Sequence, residues 1–61
     1  MSNKPLYHAG QQVCRKASLF DVETITHIST DKRGLYWYYT TTADGVRRVI
    51  GLAEHEIIAA Q

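Results

Sequence analysis

Residues 35–42 read Leu-Tyr-Trp-Tyr-Tyr-Thr-Thr-Thr, a run of aromatic and β-branched side chains that predicts a β-strand. Alternation sends Leu35, Trp37 and Tyr39 to one face and Tyr36 and Tyr38 to the other. The face carrying Leu35 and Trp37 is the expected core face, which leaves Tyr36 and Tyr38 outside. Ala43-Asp44-Gly45 then predicts a tight hairpin, because Asp-Gly takes positive φ cheaply, and residues 46–50 form the expected returning strand. Upstream, residues 21–30 contain three threonines, two isoleucines and a valine, side chains that are stiff at χ1 and crowd a helix. Val22, Ile25 and Ile28 fall three apart, so a strand here requires a bulge or a strong twist. The competing reading is a helix capped by Ser18 with Leu19, Val22, Ile25 and Ile28 at helical spacing; the β-branched content favours the strand.

The rest of the pattern fills in around these segments. Residues 1–5 are polar, end in proline and predict a loose tail; residues 6–60 form one domain. Residues 11–16, centred on Val13-Cys14, predict the first strand. A long loop over 17–22 follows, whose Leu19 and Phe20 need shelter. Asp31-Lys32-Arg33-Gly34 is a turn. Gly51 breaks the chain before a helical or 3-10 turn over 52–56, and Ile57-Ile58 closes the domain as a short last strand. The expected fold is therefore all-β: five short strands bent into a small barrel, whose closure removes exposed edges. Gly10-Gln11-Gln12-Val13, the three-stranded centre and Glu54-His55-Glu56-Ile57 place these elements in an order that resembles SH3-like barrels.

Composition narrows the function. At 61 residues the chain holds one domain with a thin core. Its hydrophobic share of 44% and charged share of 21% are too apolar for a disordered tail. No apolar run reaches the ~20 residues that span a bilayer, and residues 1–5 carry no apolar signal-peptide stretch. The single cysteine, Cys14, excludes an internal disulfide and suits a reducing compartment, so a cytoplasmic location is expected. His8, His27, His55 and Cys14 are scattered without paired spacing, which argues against a metal site, and nothing in the chain calls for a cofactor. Cys14 reads as a small core residue rather than a nucleophile. The carboxylate pairs Asp21/Glu23 and Glu54/Glu56 read as solvated charge.

Gly10-Gln11-Gln12-Val13-Cys14-Arg15-Lys16 is similar to the Gly-x-x-Val-x-basic-basic first strand of the type II, plasmid-encoded dihydrofolate reductases, small SH3-like barrels that assemble around a shared pore. Their pore depends on a late Val-Gln-Ile-Tyr segment. The equivalent region here, Val46-Arg47-Arg48-Val49-Ile50-Gly51, lacks both the glutamine and the tyrosine. The resemblance therefore implies the fold and carries over no catalytic residue; an oligomeric reductase is the least favoured function.

The expected function is that of a non-enzymatic interaction module, which binds a protein partner or its own copies. Tyr36 and Tyr38 supply contact area and Lys32 and Arg33 supply electrostatic docking. The two tyrosines have a structural alternative, in which they pack beneath Leu19 and Phe20. The second functional reading is a nucleic-acid-binding barrel using Arg15, Lys16, Arg47 and Arg48 on phosphates with the same tyrosines for stacking. Against it stands the formal net charge of only +1.

Overall fold

The computed structural model describes residues 4–60. Five strands follow one another, β1 (Gln12–Arg15), β2 (Ser18–Thr30), β3 (Tyr36–Thr42), β4 (Leu52–Ala53) and β5 (Ile57–Ala59), with a 3-10 turn, Glu54–Glu56, between the last two. They form one antiparallel sheet in the order β4-β3-β2-β1-β5. The all-β class and the 3-10 turn before the last strand agree with the sequence pattern, and the helical alternative for 18–28 is not adopted.

β2 is the spine, pairing with β1 on one side and β3 on the other. Its register against β3 steps from Ile25↔Thr40 to His27↔Tyr39, so Thr26 is the extra residue of a bulge. That residue turns the three-residue spacing of Ile25 and Ile28 into a shared inward direction, with Ile28 opposite Tyr38. Both isoleucines then meet the core of Val13, Ile25, Tyr38 and Ile57, against which Tyr7, Ile28, Tyr36 and Leu52 pack. Cys14 is buried beside them as a small core side chain.

The faces of β3 are the reverse of those expected. Tyr38 is 0% exposed, Tyr36 is half-buried against the core, and Trp37 lies half-buried on the opposite face. The reason is polar as much as steric. Tyr38 can be swallowed whole because its hydroxyl donates to Glu54 Oε2 at 2.6 Å, and its ring meets Tyr7 edge-on at 5.5 Å between centroids. The larger Trp37 stays at the boundary, where its indole N–H donates to Asp31 Oδ2 at 3.1 Å.

Three further expectations change. Residues 17–22 are not a long loop: Ser18 already pairs with Arg15 and Val22 with Cys14, which leaves 19–21 bulged between them. Leu19 and Phe20 consequently find no shelter, and Phe20 is 99% exposed. Residues 46–50 do not form a strand; beyond a bridge from Arg47 to Thr41 the chain leaves β3 and pairs again only at Leu52. The sheet is also not closed into a barrel, since β4 and β5 remain its two edges. Only the 3-10 turn separates those edge strands along the chain. At about 2 Å of rise per residue such a turn reaches a short way, so the sheet has to curl until its edges approach.

Gly51 marks the point where pairing resumes. It is buried, and a Cβ there would lie 3.0 Å from the Trp37 Cβ and 3.2 Å from the Tyr39 ring. Gly51→Ala is expected to lower stability by about 1–3 kcal/mol through overpacking, read as a drop in the urea midpoint at unchanged slope.

Candidate functional site

The curl of the sheet and the entry of the chain together build an open groove of about 820 Å³. Its apolar and aromatic lining comes from Leu6, Tyr7, Leu35, Tyr36, Trp37 and Ile58, and Lys4, Lys16, Arg33, Glu54 and His55 supply its polar groups. The first wall is the N-terminal segment. Leu6 N–H donates to Glu54 Oε2 at 3.1 Å and to the Tyr38 hydroxyl at 3.2 Å. The Tyr7 hydroxyl donates to the Ile57 carbonyl at 3.2 Å. Burial and the Glu54 hydrogen bond push the Tyr38 phenol up to about 12, so it remains a donor across the physiological range. Of the expected tail, residues 1–3 lie outside the described residues, while Lys4 is exposed and lines the groove.

The second wall rises from the turn between β2 and β3. Asp31 Oδ1 accepts the backbone N–H of Arg33 at 2.9 Å and of Leu35 at 3.0 Å. Its other oxygen accepts from Trp37 Nε1 and from the Arg33 guanidinium at 3.3 Å. Gly34, at φ 83°, lets the chain turn back after these bonds are made. The Trp37 indole, with the backbone donors and Arg33 behind it, holds the Asp31 carboxyl at about 2. One carboxylate thus fixes the orientation of Leu35, Arg33 and Trp37 at once.

The expected contact residues separate in this geometry. Tyr36 and Arg33 line the groove. Tyr38 lies beneath it in the core and is no outer contact, its face of β3 lying opposite Ile28 and against the core cluster. Lys32 is exposed on the turn, outside the groove lining. Lys4, Tyr7, Trp37 and His55 join the site unforeseen. Tyr7 was legible only as an aromatic at the domain's start; its partner is 31 positions away in Tyr38.

The dibasic pairs also separate. Arg48 turns inward and grips Glu23 with both ends of its fork, Nε to Oε1 at 2.6 Å and Nη2 to Oε2 at 2.7 Å. Thr40 Oγ1 donates to the same carboxylate at 2.6 Å, and Arg15 Nε stands 3.7 Å away. Glu23 is therefore not solvated charge but a buried, paired carboxylate, 2% exposed. Arg47 and Lys16 stay on the surface. Among the described residues no group of His, Cys, Asp and Glu side chains is arranged to hold a metal ion, and no helix is long and apolar enough to cross a membrane. No family model, curated protein or solved structure matches the chain.

Proposed function

We propose that this chain is an SH3-like interaction module and that its groove binds an extended segment of a protein partner. The strand order, with a 3-10 turn between the last two strands, supports the SH3-like assignment. The observation that carries the function is the groove itself, where Tyr36, Trp37 and Leu35 remain partly exposed on a frame held rigid by Asp31. Aromatic-lined, shallow grooves on small β-domains suit extended or polyproline-type segments, whose low entropy offsets a modest contact area. The nucleic-acid reading loses support because Arg48 is committed to Glu23 and Arg15 is drawn toward it.

Trp37 is the only tryptophan and lines the groove, so its emission reports occupancy directly. Short peptides selected from a displayed random library are expected to shift that emission saturably. Leu35→Ala, an exposed position, is expected to weaken the response at least several-fold while leaving the circular dichroism unchanged. A library that yields no groove-dependent binder refutes the proposal, and steeply salt-dependent retention of single-stranded oligonucleotides would favour the nucleic-acid reading in its place.

A further inference from the structure

Beside the groove lies a smaller notch of about 370 Å³, lined by Arg15, Lys16, Ala17, Leu52, His55 and Glu56. Lys16 and His55 line both spaces, so groove and notch are one continuous surface. The charges along it are unequal in availability. Glu54 directs Oε2 to Tyr38 and Leu6 N–H, and Glu56 directs Oε1 back to Ala53 N–H at 2.8 Å. The Glu54 carboxylate is engaged within the fold, whereas Glu56 is exposed and lines the notch with one oxygen held by Ala53 N–H. By contrast, among the described residues Lys4 and Lys16 have no carboxylate within 4.0 Å. Arg15, its side chain 35% exposed, is paired with Glu23 at 3.7 Å through a buried Nε that has no hydrogen-bond partner. His55 is exposed and offers a ring N–H in either protonation state.

From this charge complementarity we infer that the segment bound here is acidic: an apolar residue lies on Leu35 and Tyr36 while a neighbouring carboxylate docks in the notch at Lys16 and His55. The inference rests on the groove being a peptide site. A basic segment would meet Lys4 and Lys16, neither with a carboxylate within 4.0 Å among the described residues, and a Glu54 already engaged by Tyr38 and Leu6, an unfavourable pairing. A polyanion such as nucleic acid would need cations continuing beyond the notch, and Arg48 is folded away from that task.

The test uses peptides selected on the full chain from a displayed random library. Asp or Glu is expected to be enriched near an apolar residue. Changing that acid to its amide, or Lys16→Glu in the protein, should each weaken binding about tenfold. Lys16→Glu combined with acid-to-Lys in the peptide should recover most of the loss, which a merely structural role for Lys16 would not produce. Lys16 is exposed, and an unchanged far-ultraviolet spectrum of Lys16→Glu confirms that the fold is kept. Groove binders that are neutral or basic, or that ignore Lys16→Glu, overturn the acidic ligand while leaving the peptide groove standing. An absence of any groove binder overturns both.

Discussion

Tyr38→Ala is expected to unfold this protein, whereas Trp37→Ala leaves it folded. Tyr38 is fully buried between Ile25, Ile57 and the Tyr7 ring, and removing so large a core side chain costs about 3–5 kcal/mol. A single core in a domain of this size rarely supplies more than about 3–5 kcal/mol in total. The Tyr38 hydroxyl adds a second loss, since it links Glu54 of the 3-10 turn to Leu6 of the N-terminal wall. Tyr38→Phe keeps the ring and is expected to cost about 0.5–1.5 kcal/mol for the missing hydrogen bond. Trp37 is only half-buried and gives up its hydrogen bond to Asp31 and its partial ring burial, a loss of about 1–2 kcal/mol. Circular dichroism and urea denaturation of the three variants check this order. A folded Tyr38→Ala protein with a near-native midpoint would show that the core does not depend on β3's inward face.

Arg48→Ala is expected to be nearly as damaging, for an electrostatic reason. Its removal leaves Glu23 charged and buried, with Thr40 and Arg15, 3.7 Å away, as its remaining partners. Breaking a fully buried pair from one side costs about 3–5 kcal/mol. The 30% exposure of Arg48 and the Arg15 guanidinium at 3.7 Å put this loss toward the lower end. Replacing both members, Glu23→Leu with Arg48→Met, is expected to restore much of that stability, because the uncompensated charge is gone. The same pair makes the protein acid-sensitive. The Arg48 hydrogen bonds hold the Glu23 carboxyl below its ordinary value of 4.5, against burial, which raises it; Thr40 and the charges of Arg48 and Arg15 add to the lowering. A carboxyl whose folded value is depressed stabilises the fold fully above its unfolded value. Its contribution is lost as the pH falls from about 4.5 through the folded value. Urea midpoints measured from neutral pH down to pH ~3 are expected to fall for the native chain. They should fall less steeply for the Leu/Met double variant, and equal slopes would remove Glu23 as the acid-labile group.

Both predictions turn on residues whose type was visible in the chain and whose placement was not. The threonines, valine and isoleucines of 21–30 announced a strand, and their three-residue spacing announced that the strand must contain an irregularity. Where the bulge fell decided which face Ile28 and Tyr38 would share, and bulge position depends on pairing with β3. The size of Trp37 argued for the core in isolation. It lost to Tyr38 because a tyrosine hydroxyl can be satisfied from a turn 16 positions later, which no local pattern reports. Glu23 and Arg48 illustrate the same point: 25 residues apart, each reads as solvated charge until the hairpin brings them together.

What the chain by itself determined is the all-β class, the central strands, the turns at 31–34 and 43–45 and the 3-10 turn before the last strand, since β-branched and aromatic runs and glycine turns act through local sterics. The fourth strand, at Leu52–Ala53 rather than 46–50, was not legible. Arg33 was legible as a surface candidate because the turn places it locally; Tyr36 reaches the groove from the core-facing side of β3, not from the outer face expected of it. Only the tertiary structure decided the strand faces, the pairing of buried Glu23 with Arg48 and the groove between the N-terminal segment and the turn at Asp31. Each of these depends on contacts between residues distant in the chain. Such contacts are selected by how polar atoms find partners when a thin core is closed, a global condition that period and propensity do not encode.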